Sequence, residues 1–246
     1  MDENYFLTRR SCRHFKTEKV PDNLLNTILY KAMKAPTYGT MQLYSVVVTR
    51  EEDRKNKLAS YHYNQPAAVT APLLLTICAD FNRFIRWCKI NHADAGFNNF
   101  HSFIAALTDA VIYAQQIVTV AEMEGLATCY LGTVIYNAKE ISGFLKLPEL
   151  VMPVASLAIG FPMKEEENTY RLPLEAIVHE EIYRSDNNEK IVEFYKVHDK
   201  NPDNERFLKE NGKENLAKVF AEIRYPRNLN EEISKSFEEL LRKKGF

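Results

Sequence analysis

The chain is 246 residues long, 46% hydrophobic and 26% charged, with a formal net charge of −1. This length suits one large domain or two small ones, and the composition is that of a soluble globular protein. The near-neutral balance argues against a long polyanion or an anionic bilayer, so neither nucleic acid nor membrane is expected as a partner.

In chain order, the first distinctive stretch is "RRSCRHF", residues 9–15, with three arginines in seven positions. On a helix Arg9 and Arg13 would stack at i, i+4, where like charges cost a few tenths of a kcal/mol unless an anion compensates. Next, "VPDNLLNTILYKAMKAP" places Leu25, Ile28, Leu29 and Ala32 on one helical face, with Asp22 as the expected cap and Pro36 as the stop. "YSVVVT" reads as a β-branched strand, 51–61 as a charged surface helix, and "PLLLTICAD" as a strand buried on both faces. Residues 100–124 form a long helix, apolar nearly all round and interrupted by Asp109, Gln115 and Gln116, with Gly125 placed to end it. "LATCYLGTV" is a further buried strand. "NAKEISGFLKLP" is a short helix with an Asn137/Glu140 capping box, and "VMPVASLAIGFP" is another buried strand. Strands thus alternate with helices to about residue 160. Beyond Met163 the chain turns charged and proline-marked, the stretch 164–167 reads as a solvated loop, and helices are expected near 189–198, 214–223 and 231–244.

Several chemistries lack their residues. The eight glycines form neither a GxGxxG nor a Walker loop, and no G-x-S-x-G elbow occurs. "HEEIY" at His179 has Tyr183 where a second zinc ligand would stand, so no metal site is expected. Cys12, Cys78, Cys88 and Cys129 form no CxxC pair, and the charged N-terminus has no secretory pattern, which points to reduced thiols and a cytoplasmic protein. Arginine neighbours would lower the pKa of Cys12, yet no companion base or resolving cysteine is visible, so it reads as a bystander thiol.

What remains is polar groups set between elements: "RRSCRHF", "APTYGTMQLYS", "YNQP", "YLGT" and "YRLP". Such pieces suit a ligand with an anionic group, a polar edge and a flat apolar body, a description that flavin mononucleotide (FMN) meets. In this order, together with "CADFNR", "GLATCYLGTV", "IGFP" and "RLPLEAIVHEEIY", they resemble the nitroreductase family of FMN-dependent oxidoreductases. The resemblance is nearest to the subgroup of the oxygen-insensitive NADPH nitroreductases and NADPH-flavin reductases.

The resemblance implies an α+β fold, a three-layer α-β-α sandwich around a mostly antiparallel or mixed sheet, in an intertwined homodimer with FMN at the interface. It implies an FMN-binding core over 1–162 and a C-terminal extension over 163–246 that wraps the core or the partner subunit within the same domain. Arg9, Arg10 and Arg171 match positions that grip the FMN phosphate, and Ser11 and Arg13 those near the ribityl chain and pyrimidine edge. Thr37, Gly39, Gln42 and Gln65 match ring and ribityl contacts. Gly132 and Thr133 match the strand end that addresses flavin N5. The departures are Arg9 for the subgroup's usual His, Thr40 for an Asn, Thr133 for a second Gly, Thr169 for a Lys, and Ala67 for a frequent aromatic. The arginines that select NADPH fall in a loop near 196–206.

The function so implied is ping-pong, two-electron reduction of small-molecule acceptors (nitroaromatics, quinones or free flavins) by NADPH or NADH through tightly bound FMN, with no catalytic side chain. The alternatives are a specialised member, such as an enone reductase or dehalogenase, and a flavin-binding protein without turnover.

Overall fold

The computed structural model describes residues 4–164, 170–200 and 202–246, excepting the side chains at 199–200 and 202–203. Thr169 and residues 165–167 of the expected solvated loop lie outside the described residues. Two compact units are present: Met1–Arg10 with Glu167–Glu232, and Ser11–Glu166 with Ile233–Phe246. In chain order the helices are α1 (Tyr5–Thr8), α2 (Asp22–Ala32), α3 (Glu52–Tyr61), α4 (Pro66–Thr70), α5 (Asn82–Ile90), α6 (Phe100–Met123), α7 (Ala138–Phe144), α8 (Asn188–Tyr195), α9 (Pro202–Asn211), α10 (Leu216–Lys218) and α11 (Arg227–Lys243). The strands are β1 (Tyr44–Thr49), β2 (Leu73–Asp80), β3 (Ala127–Tyr130) and β4 (Val151–Gly160).

The larger unit is built on one sheet of order β1-β2-β4-β3 in which every neighbouring pair is antiparallel. Alternation along an apolar strand sends successive side chains to opposite faces. In β2, Leu73, Leu75, Ile77 and Ala79 face a core shared with α2 and α6, while Leu74 faces a second core with Leu58 of α3 and Ala67 and Ala68 of α4. Helices therefore cover both faces, and all eight residues of β2 and all ten of β4 are buried. Pro153 sits inside β4, opposite Cys78, where the β2 register shifts. A strand proline is tolerated at such an irregularity because its missing N–H loses no ladder bond.

Helix α6 is long and apolar enough to cross a membrane by composition. Here Ala106, Ala110, Ala114, Ile117, Val118 and Ala121 are buried in the core. Gly125 follows it at φ 83°, and the N–H of Leu126 returns to Ala121 O at 3.0 Å, which closes the helix as its sequence position implies.

Local expectations fail at three helix ends. Asp22 is the first residue of α2 rather than its cap, and its carboxylate pairs with Arg50. Asn137 does not cap α7: its side-chain amide donates to Tyr61 O at 2.6 Å, satisfying a terminal carbonyl of α3 instead. Arg9 lies outside α1 at φ −60°, ψ 131°, so Arg9 and Arg13 do not share a helix face, and their i, i+4 repulsion is no argument for an anion.

In the smaller unit, Asn187 caps α8 by accepting the Lys190 N–H at 2.9 Å. The expected loop near 196–206 is helical there, with 3-10 turns over Lys196–Lys200 followed by α9, whose Pro202 stands at the helix start, where its missing N–H is harmless.

Candidate cofactor site

The candidate residues fall into four local structures. The first is the connection between α2 and β1, which carries Thr37, Gly39 and Gln42. Thr37 is extended, whereas Gly39, Thr40 and Gln42 have φ of 54°, 57° and 53°. Two non-glycine residues in the left-handed region within three positions store strain that the surroundings must hold. Asp109 of α6 provides the hold. It is buried, and its carboxylate accepts the Tyr38 N–H at 2.7 Å and the Leu43 N–H at 3.1 Å, bracketing the strained residues. Arg83 of α5 braces the far end, donating to Gln42 O at 2.5 Å and Tyr44 O at 3.2 Å. Beside it, Tyr44 stacks on Tyr113 with ring centroids 4.1 Å apart, and burial raises the pKa of both phenols. A cavity of about 380 Å³ opens here, lined by Gln42, Tyr44, Arg83 and Tyr113 among others.

The second structure joins Gln65 to Thr133 through a residue that sequence reasoning missed. His62 follows α3. Its carbonyl accepts the Gln65 N–H at 3.2 Å, and its ring Nδ1 lies 2.9 Å from Thr133 Oγ1. The ring has no solvent exposure, and burial lowers its pKa to about 4, so it is neutral at physiological pH. Tyr63 and Asn64, at φ 55° and 51°, turn the chain into α4, whose first carbonyl acceptor is Gln65. Ala67 is 3% exposed and packs in the second core.

The third structure is the end of β3. Leu131 donates to Ser156 O at 2.9 Å, and the chain then turns at Gly132–Val134. Gly132 is exposed, and a Cβ there would meet nothing within 4 Å. Among the described residues, no acceptor faces the N–H groups of Gly132 and Thr133. Two adjacent backbone donors thus have no backbone acceptor among the described residues.

The fourth is the arginine-rich stretch, which is extended and divided between the units. In the larger unit, the Cys12 N–H reaches Thr128 O at 2.9 Å and Phe15 bridges to Pro162. Cys12 and Phe15 are buried, Ser11 is half-buried, and Arg13 is exposed. Gly160 makes the docking of this strand possible: a Cβ there would fall 2.8 Å from Pro72 Cγ and 3.2 Å from Phe15 Cδ1. Arg9 and Arg10, half-buried, belong to the smaller unit together with Arg171. Arg171 is exposed and lines a depression of about 460 Å³ with Pro173, Glu193, Phe194, Lys196 and Val197.

The nitroreductase family profile matches residues 7–161, more than half of the chain. The chain belongs to the nitroreductase family. A crystal structure of a Bacteroides fragilis NCTC 9343 protein is 40% identical, with a TM-score of 0.96 and 98% of each chain covered. The FMN reductase [NAD(P)H] of Bacillus subtilis is 29% identical over 96% of this chain and 94% of that protein. The oxygen-insensitive NADPH nitroreductase of Salmonella typhimurium is 29% identical over 71% of each. The α+β fold is the family's, and the similarity extends through the C-terminal segment in the first two relatives.

The larger unit fits the flat heterocycle that this family carries. Backbone donors at Gly132 and Thr133 without a backbone acceptor, a half-buried Gln42 and the strained Gly39 turn present polar groups, and among the described residues nothing lies within 4 Å of a Cβ placed on Gly132. Asp109 had a legible signal: a carboxylate in an otherwise apolar helix must find donors when buried. His62 had none, since a lone histidine between polar residues reads as surface.

Proposed function

We propose that this protein is an FMN-dependent NAD(P)H oxidoreductase that reduces small-molecule acceptors (nitroaromatics, quinones or free flavins) in two-electron, ping-pong turnovers. The observation that carries this reading is the pair of backbone donors at Gly132 and Thr133 without a backbone acceptor among the described residues, set at a strand end in a chain of this family. FMN, when bound, supplies the hydride chemistry. The chain binds and orients it.

In this reading Arg9, Arg10 and Arg171 hold the phosphate, where paired guanidinium bonds contribute about 1.5–3 kcal/mol each. Ser11 and Arg13 serve the ribityl chain and pyrimidine edge, and Arg13 adds positive charge where the reduced ring is electron-rich. Thr37, Gly39, Gln42 and Gln65 contact the ring and ribityl chain, and Gly132 and Thr133 address the N5 edge. No side chain is required as acid or base. His62, the buried histidine beside this edge, is neutral at pH 7. The working assembly is a cytoplasmic homodimer with FMN at the interface, and 163–246 acts as an extension of the 1–162 core that wraps the core or the partner subunit.

Purification tests the reading. The protein is expected to carry yellow FMN at about one per chain. Arg10→Ala and Arg171→Ala are each expected to weaken FMN binding by roughly ten- to a hundredfold, from the loss of about 1.5–3 kcal/mol. A colourless protein that takes up no added FMN contradicts it.

A further inference from the structure

Thr133 places a hydroxyl where relatives of this subgroup commonly have a second glycine, directly on the open edge of the site. That hydroxyl is not left to rotate. His62 Nδ1 stands 2.9 Å from Thr133 Oγ1, and the other ring nitrogen, Nε2, is buried with no hydrogen-bond partner among the described residues. A neutral imidazole carries one N–H, so two arrangements are possible. In one, Nδ1–H donates to Thr133 Oγ1 and Nε2 is a bare acceptor. In the other, Thr133 donates to Nδ1 and a buried Nε2–H faces no acceptor. Buried orphan donors are rarer than under-satisfied acceptors, which favours the first. Burial keeps the ring neutral down to about pH 4, so this tautomer persists over the physiological range.

We infer that His62 is a positioning residue: by donating to Thr133 Oγ1 it turns the Thr133 proton outward, as a third hydrogen-bond donor beside the Gly132 and Thr133 N–H groups. The inference rests on the FMN reading given above. Flavin N5 accepts a hydrogen bond when oxidised and carries its own N–H once reduced, so a donor aimed at N5 favours the oxidised ring and lowers the flavin's reduction potential. His62 acts only through Thr133. It deepens the site's account by explaining why a residue larger than glycine is tolerated here.

The test uses the FMN-loaded protein. With ¹⁵N-labelled histidine, the His62 signal is expected to show a protonated Nδ1 and an unprotonated Nε2, and the reverse pattern overturns the inference. Redox titration gives a second, independent readout. Thr133→Val is expected to shift the two-electron equilibrium toward reduced flavin by about tenfold, equivalent to about 30 mV, and Thr133→Ser to retain the wild-type potential. His62→Phe is expected to raise the potential in the wild-type background and to change nothing further in Thr133→Val. A Thr133→Val protein with full FMN and an unchanged potential overturns the inference, as does an additive effect of His62→Phe. Should His62→Phe fail to fold, the tautomer and the Thr133 pair still decide. Failure of the wild-type protein to bind FMN is a separate result and falls on the functional reading.

Discussion

The connection at 37–43 and the edge at 132–133 are held by opposite means. The connection is strained and closed: a buried carboxylate, Asp109, takes both flanking N–H groups, and Arg83 takes the carbonyl at Gln42. The edge is unstrained: its side chain is steered by a neutral histidine, and its N–H groups have no backbone acceptor among the described residues. Charge-assisted bonds are strong enough to hold backbone in the left-handed region. A neutral partner suffices where the backbone needs no force and its donors must stay free for a ligand. A rigid frame on one side and unspent donors on the other is what a site needs if it positions a ring without doing its chemistry.

That contrast can be broken most forcefully at Asp109. Asp109→Leu orphans the buried Leu43 N–H and releases the loop, and is expected to lower unfolding free energy by about 2–6 kcal/mol in denaturant titration. A loss below 1 kcal/mol would mean that the carboxylate does not carry the strain. His62 gives the next largest effect, through pH. Its folded pKa is about 4, below the unfolded value of about 6.5, so the unfolded chain binds the extra proton first. Stability from this group is therefore full above about pH 6.5 and is lost as pH falls toward 4, by about 3 kcal/mol. His62→Phe should flatten that part of the profile. Gly39→Ala places a Cβ at φ 54° and is expected to cost about 1–2 kcal/mol, through conformation alone, since the nearest atom, Met41 Cε, would be 3.5 Å away. The smallest effect separates the two regions directly. Adding FMN is expected to slow hydrogen exchange at Gly132 and Thr133 by roughly three- to tenfold, from bonds of about 0.5–1.5 kcal/mol, while the Tyr38 and Leu43 amides, already bonded, change little.

The sequence made the buried layers legible because burial on both faces leaves no polar alternation to misread. The runs in β2 and β4, the α2 face at Leu25, Ile28 and Ala32, and α6 with its terminal glycine all follow from apolar spacing. Helices α4 and α5 are not foreseen in the sequence, α4 because five residues are too few for a periodic pattern, and α5 because only Asn82 and Arg83 at its start fall in the motif after β2 and its remaining residues carry no distinctive motif. Asn137 and Asp22 carried genuine cap chemistry but found tertiary partners, Tyr61 O and Arg50, that no local pattern encodes. At the site, the order of motifs located the loop and the strand end, while the groups that hold them, Asp109, Arg83 and His62, come from elsewhere in the chain. Long-range hydrogen bonds of this kind are the part of a site that spacing cannot reveal.

Presentation of bound FMN to a nicotinamide donor is tested by anaerobic addition of NADPH, and in parallel NADH, to the yellow protein while the flavin absorbance is followed. Bleaching by at least one of the two is expected, with recovery of colour on adding a quinone or nitroaromatic. A protein that holds FMN but is bleached by neither donor would contradict it.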